Sequence, residues 1–263
     1  VLQVLSLHCT QLVSLNLNQC TQITDRSLTV LVERCTNLES LDIAYCTSIS
    51  GVTLTAIATH CLRLTLLDVG FCTSISDVSL MEVATGCTNL LSLTVEKCGL
   101  QDADASLIML GRHCHALTDL DFECEESSWT SVTDIGLIAV ANGCPLLQNL
   151  CLSECKAITD TSVIRVAEQC PLLKSVILSY CTDDLHGDAT LSDASLFAFA
   201  LHSLNLESLD LDFVENVTNT GMTAVVEGCL KLRMLNVGNN EYITEEAVVA
   251  LRVSYPQLTI YSN

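Results

Sequence analysis

Cysteine recurs in this chain at a fixed interval. Cys9, Cys35, Cys61 and Cys87 stand 26 residues apart, and Cys20, Cys46, Cys72 and Cys98 run beside them at the same spacing. Between them the same apolar pattern returns. Leu12, Leu15 and Leu17 precede Cys20, Ile23-Thr24-Asp25 follows it, and an apolar run closes on Cys35. Leu38, Leu41, Ile43, Cys46, Ile49 and Cys61 repeat the pattern, as do Leu64, Leu67, Val69, Cys72, Ile75 and Cys87. A period of this length specifies a solenoid, in which each unit buries its apolar face against the next. The length of 263 residues alone would suggest two domains. The repeat overrides that prior and predicts one domain over 1–263.

Within a unit, the Leu-x-x-Leu-x-Leu segment alternates faces and predicts a short strand. Thr24-Asp25, followed by Leu28, Leu31 and Val32, predicts a capped helix of about three turns. Strand then helix, always in that order, gives an α/β horseshoe with a parallel inner sheet and outer helices. Ten segments qualify as strands, starting at Leu12, Leu38, Leu64, Leu90, Leu117, Leu147, Leu173, Leu206, Leu232 and Leu258. At ~4.8 Å per strand the sheet would span roughly 45 Å, enough for a protein surface or an extended peptide. Leu2, Val4 and Leu5 match Leu28, Val30 and Leu31, so the chain opens inside a helix. An uncapped solenoid end is unfavourable, and the expectation is that this chain is the C-terminal part of a longer protein.

Sixteen cysteines would suggest a disulfide scaffold if they were irregular. Here all but Cys151 fall in two series locked to the repeat, the second running through Cys124, Cys155 and Cys181. Such cysteines behave as small buried hydrophobes with weak S–H donors, which implies a reducing compartment, cytoplasm or nucleus. The net charge is −20, from 31 acidic and 11 basic residues. That charge repels nucleic-acid backbones and anionic membranes and favours basic partners. Part of the acid is structural: Asp25, Asp77, Asp104, Asp134, Asp160, Asp193 and Glu245 each stand ten residues before the residue that closes their repeat. Those positions are helix N-termini, where free N–H groups and the helix dipole favour a carboxylate.

Two units exceed the period. Extra residues gather around Glu125, Glu126 and Trp129 in one, and around Asp183, Asp184, Leu185, His186, Gly187 and Asp188 in the other. Both insertions follow a strand, and insertions in solenoids collect on one face, often the binding face. Neutral drift in a tolerant loop is the competing reading.

The unit Leu-x-x-Leu-x-Leu-x-x-Cys-x-x-Ile-Thr-Asp closing on Cys-x-x-Leu, clear at Leu12 to Asp25 and Leu147 to Asp160, resembles the cysteine-containing leucine-rich repeat. Cys20 and Cys155 sit where other leucine-rich repeats carry an Asn, and Asn240 restores it. Val214 departs from the pattern, and Cys124 arrives one residue early. This subclass is typical of F-box leucine-rich-repeat proteins. The resemblance implies repeats that hold a protein substrate and a preceding F-box that docks on the adaptor of a cullin–RING ubiquitin ligase. No F-box lies within these residues. The alternative is a scaffold subunit of a larger intracellular assembly.

Candidate partner-binding residues follow from the strand alternation. Acid gathers in the middle of the inner face, at Asp68, Glu96, Asp119, Asp121 and Glu123, continuing into Glu125 and Glu126, with Asp210 and Asp212 further on. Like charges one strand apart repel unless a basic partner relieves them; the bland reading is an ordinary polar surface. A second row, Tyr45, Phe71, Tyr180 and Phe213, stands just before the loop residue, with Gln19, Lys97 and Asn239 in other units. Those aromatics either anchor a partner or pack against the neighbouring coil, and packing is the favoured reading. His8, His60 and His113 lie in separate repeats without zinc-ligand spacing. Asn216-Val217-Thr218 has the form of a glycosylation sequon. No nucleophile elbow, phosphate loop or catalytic carboxylate pair is recognisable, so no enzyme activity, cofactor or metal is expected.

Overall fold

The computed structural model describes residues 2–124, 132–181 and 191–262. Helix and strand alternate throughout. The helices are α1 (Leu2–His8), α2 (Asp25–Val32), α3 (Gly51–His60), α4 (Asp77–Gly86), α5 (Ala103–His113), α6 (Asp134–Gly143), α7 (Asp160–Gln169), α8 (Asp193–His202), α9 (Asn219–Gly228) and α10 (Glu245–Ser254). The strands are β1 (Ser14–Asn16), β2 (Ser40–Asp42), β3 (Leu66–Asp68), β4 (Ser92–Thr94), β5 (Asp119–Asp121), β6 (Asn149–Cys151), β7 (Ser175–Ile177), β8 (Ser208–Asp210), β9 (Met234–Asn236) and β10 (Thr259–Tyr261). They form one ten-stranded sheet in chain order, every pair parallel. The architecture is the leucine-rich-repeat solenoid that the periodicity predicts. Each strand is only three residues long, centred on the middle leucine, with Leu15 opposite Leu41 and Leu41 opposite Leu67. The third apolar residue continues the ladder, as Leu17 N–H donates to the Asp42 carbonyl at 2.8 Å.

The core lies between sheet and helices. Strand leucines, helix positions such as Leu28, Leu31 and Leu54, and most cysteines are fully buried in it. Helices are wider than the strand spacing, and glycines ease their contact, Gly143 and Gly86 among them. A Cβ on Gly143 would run into the Gly111 carbonyl, and one on Gly86 into the Ala58 carbonyl. Both are helix C-terminal positions where only backbone fits between neighbours.

The acidic residues at helix starts do something the sequence reading missed. They lie in the first turn as expected, but except for Glu245, which pairs with Arg252 of its own helix, the described partners of their side chains belong to the next repeat. Asp25 accepts from Ser50 N at 3.0 Å, Ser50 Oγ at 2.7 Å and Thr53 Oγ1 at 2.6 Å. Asp134 holds Thr159 in the same way, and Asp193 holds Thr218. Asp160 accepts from the N–H and hydroxyl of both Ser192 and Ser195. The Ser or Thr hydroxyl donates to the upstream carboxylate and accepts an N–H from its own helix, as Thr159 Oγ1 does from Thr161. One hydroxyl thus caps its helix and ties two repeats. The series is interrupted at α3, where Gly51 stands in place of the acid and Ser76 and Ser79 bond each other instead, and it weakens at Asp77. Asp102 stands at the N-cap of α5 in place of a Ser or Thr, and Asp77 keeps one bond, from the Gln101 N–H at 3.2 Å, with one carboxylate oxygen buried without a partner.

The cysteines make a second set of inter-repeat bonds. Cys46 Sγ donates to the Leu17 carbonyl at 3.3 Å, Cys72 to Ile43 at 3.2 Å and Cys181 to Leu152 at 3.0 Å. Asn240 does this with an amide: Nδ2 donates to Leu211 O at 3.0 Å and Oδ1 accepts from Val214 N at 2.9 Å. Val214, which departs from the pattern, has no side-chain donor for this bond. Val214 is fully buried, and its backbone N–H donates both to Leu211 O and to Asn240 Oδ1 of the next repeat. Cys124 also departs from its series. Its N–H donates to Ser153 O, the bond that Tyr45 N makes to Gly70 O, so it occupies the position before the loop cysteine. Cys155 accordingly bonds the Phe122 carbonyl at 3.3 Å. At the helix ends, Ser203 replaces the closing cysteine, and its fully buried hydroxyl has no partner.

Two outcomes follow. Asp160→Ala removes the acceptor of two N–H and two O–H groups and should cost about 2–4 kcal/mol in urea unfolding; a loss within about 0.5 kcal/mol would refute the tie. Its electrostatic side is seen at Asp25. Burial alone would raise this carboxyl, but hydrogen bonds from Thr53 and Ser50 outweigh it and hold it below its ordinary value. The contribution of Asp25 is thus complete above the unfolded-state value and is lost as pH falls through the lower folded one. Conversely, Ser203→Cys should raise Tm by about 2–4 °C by removing an unsatisfied hydroxyl; an unchanged Tm would show that the hydroxyl carries no penalty.

Candidate interaction surface

Strand alternation leaves one face of the sheet free of helices. The residue before each central leucine and the residue after it project to that open face, and register stacks them into columns. The column after the leucine reads Asn16, Asp42, Asp68, Thr94, Asp121, Cys151, Ile177, Asp210 and Asn236. The column before it carries Asp119, with Asn149 beside it. Two residues beyond the first column come Glu96, Glu123 and Asp212.

Most acids of the first column have a local task that sequence reasoning overlooked. Asp68 accepts from Gly70 N at 2.9 Å, Asp121 from Glu123 N at 3.3 Å, and Asp210 from Asp212 N at 3.0 Å. Asn16 and Asn236 use their amide oxygens identically. These are Asx-turn bonds that turn the chain out of the strand. The recurring Asp or Asn after the middle leucine was the available signal.

Five of the sequence candidates fall together on neighbouring strands: Asp68, Glu96, Asp119, Asp121 and Glu123. For Asp68, Asp121 and Glu96 the charge is expensive there. Burial raises the Asp68 carboxyl, and repulsion from Asp42 and Asp121 adds to it. Burial likewise raises Asp121, with Glu123 contributing. Glu96 is raised by burial and then by Glu123 and Asp121, against the opposing pull of Lys97. Lys97 Nζ lies 2.8 Å from Glu123 and 3.6 Å from Glu154. Glu123 is therefore already paired, which the sequence reading did not anticipate. Asp119 accepts from Thr118 Oγ1 at 2.5 Å and from the Asn149 amide. Asp210 and Asp212 form a separate group beyond β7, held by the amides of Asn236 and Asn239.

Between the two acidic groups the face sinks into a hollow of about 260 Å³ on β4–β7, lined by Asp119, Asp121, Cys151 and Ile177 among others. Cys151, the cysteine outside both series, opens onto this hollow. Burial first, and the adjacent Asp121 second, push its thiol up to about 12, so it stays protonated and unreactive.

The row before the loop residue is set by backbone conformation. Gln19, Tyr45, Phe71, Lys97, Glu154, Tyr180, Phe213 and Asn239 all have φ between 48° and 62°. Glu154 belongs to the row and was missed. Tyr45 stacks on Phe71 at 4.2 Å between ring centroids, and Tyr180 on Phe213 at 4.6 Å. The rings pack on one another across repeats, yet Tyr45 and Tyr180 remain 39% and 45% exposed. Glu125, Glu126, Trp129 and the second insertion lie outside the described residues. His8, His60 and His113 end helices α1, α3 and α5, where the dipole favours them. Among the described residues no cluster of His, Cys, Asp and Glu is arranged to hold a metal, and no helix is long and apolar enough to cross a membrane.

The comparisons agree with this geometry. A family model described as Leucine Rich repeat matches residues 34–58. A chain from the Rad7 and Elc1 complex in yeast is 19% identical, with 98% of this chain and 76% of that chain covered and a TM-score of 0.52. A chain from the TLR13–ssRNA13 complex is 15% identical, with 91% and 38% covered and a TM-score of 0.54.

The thiols offer a direct check. With an aromatic disulfide reagent at about pH 8, the folded chain should expose Cys20 first and the half-buried Cys9 more slowly. Cys151 should resist, and all sixteen cysteines should react after unfolding without reductant. Labelling of Cys151 as fast as Cys20 would contradict its protonated, shielded state.

Proposed function

We propose that this leucine-rich-repeat protein, whose fold is a protein–protein recognition module, is the substrate-holding part of an F-box-type ubiquitin ligase receptor. The open face takes the substrate, and residues preceding Val1 contact the cullin–RING adaptor. In this reading residues 1–263 act as one repeat domain at the C-terminal part of a longer, non-enzymatic protein of the cytoplasm or nucleus. The observation that carries the recognition surface is the set of half-buried carboxylates Asp68, Glu96 and Asp121, all raised by burial first and by repulsion from neighbouring carboxylates. A basic partner removes that penalty, and the net charge of −20 strengthens its approach. The same charge disfavours RNA, the ligand in one of the structural neighbours. The ligase assignment rests on the resemblance of the cysteine-containing repeat. The Rad7 and Elc1 complex is a protein–protein assembly, which supports a protein partner and equally suits the runner-up, a scaffold subunit.

Affinity capture with the full-length protein separates the two. Recovery of a cullin and its adaptor supports the receptor; a stoichiometric complex without them favours the scaffold. For the captured partner, Asp68→Lys with Asp121→Lys should weaken binding at least tenfold. Binding a cation lowers the raised carboxyl values, so association should release protons and strengthen as pH rises from about 4 to about 7. Affinity indifferent to both the charge reversal and pH would eliminate the acidic surface as the binding site.

A further inference from the structure

We propose that the hollow on β4–β7 seats an extended peptide segment of the partner that carries a cation, one spacer residue, an aliphatic residue, one spacer residue and a second cation. This rests on the open face being a protein-recognition surface and adds the pattern that the surface reads.

The register sets the spacing. Asp121, Cys151, Ile177 and Asp210 stand side by side on β5, β6, β7 and β8. In most repeats this column holds an Asp or Asn whose side-chain oxygen caps the N–H two residues on. Ile177 has no such oxygen. It gives up the turn-forming bond and leaves an aliphatic side chain part-exposed on a polar face. Cys151 beside it holds a neutral thiol. Together they make an apolar step two strands wide in the hollow, with Asp121 lining it on one side and Asp210 on the next strand, just beyond it, on the other.

At ~4.8 Å per strand, Asp121 and Asp210 lie roughly 14 Å apart, with the apolar step centred about 7 Å from each. An extended chain crossing the strands brings every second residue to one side, about 6.7 Å apart, and every fourth about 13 Å apart. The same five-residue pattern on a helix does not fit, because its residues four apart are only about 6 Å apart. Asp119 lines the same hollow and reinforces the first cation site. Asp210 is oriented for the second by the Asn236 amide, which donates to both of its carboxylate oxygens at 3.1 Å. Each end of the segment thus meets a carboxylate, and its centre meets the one apolar patch between them.

The test uses fluorescently labelled peptides and anisotropy with the unaltered chain at about 150 mM salt. Gly-Arg-Ser-Leu-Ser-Arg-Gly is compared with a version carrying Ser for Leu and with the compressed Gly-Arg-Leu-Arg-Ser-Ser-Gly. The matched peptide should bind roughly tenfold or more tightly than either. Ile177→Asp then separates pattern from charge. It adds a negative charge, so plain attraction predicts tighter binding, whereas loss of the apolar step predicts binding weakened to the level of the Ser peptide. Equal affinity for all three peptides, or a gain with Ile177→Asp, overturns the pattern and leaves recognition of basic partners standing. No binding by any peptide also overturns it, and the Asp68→Lys, Asp121→Lys result on the captured partner then judges the surface independently. The peptide series alone decides the pattern if Ile177→Asp fails to fold, which circular dichroism checks.

Discussion

Every repeat depends on its neighbour to satisfy polar groups that it cannot satisfy alone. The clearest case is the carboxylate in the first turn of one helix, which holds the hydroxyl and N–H that cap the next. Three-residue strands and helices of seven to eleven residues have little stability in isolation. Their core is apolar and non-directional, so it favours stacking without defining the offset between units. The carboxylate ties, with the thiol and amide bonds of the loop positions, supply that direction. Where a tie lacks its hydroxyl, as at Asp77 and Gln101, a buried oxygen is left over. The bonds are therefore specific to the residues and are not a by-product of stacking.

The same stacking creates the acidic open face. A parallel register repeated ten times brings equivalent residues within one strand spacing of each other, so a residue type favoured in each unit becomes a column. Asp is favoured after the middle leucine because its oxygen turns the backbone. Repeated in adjacent units, it accumulates charge on a half-buried face. Asp68 and Asp121 thus serve the turn locally and carry a collective cost that one repeat would not have. The pair Cys151 and Ile177 interrupts the charge and divides it into two groups.

The row with positive φ illustrates a constraint shared by structure and surface. Non-glycine residues in the left-handed region cost about 1 kcal/mol or more each, and here eight of them adopt it. The neighbouring strand fixes the conformation by holding the N–H of the same residue, as Gly70 O holds Tyr45 N at 2.8 Å. Side chains at this bend leave the sheet edge in parallel, which is why Tyr45 meets Phe71 and Tyr180 meets Phe213 face to face. Stacking consumes one side of each ring and leaves the tyrosines partly exposed, so packing and surface roles coexist.

Periodicity alone determined the strand–helix order, the number of repeats and the buried leucines and cysteines, because those follow from local alternation and from what one unit must hide from water. It also located the acids at helix starts and on the open face. The tertiary structure decided which groups those acids serve. The partner of Asp25 is 25 residues away at Ser50, in a different repeat, and no local pattern specifies that direction. The same holds for Asn240, which reaches back to the Leu211 carbonyl and the Val214 N–H of the preceding repeat, for the displaced Cys124, and for Lys97, which neutralises Glu123 from the adjacent repeat. Register between repeats converts a linear period into contacts, and that register is a property of the assembled sheet.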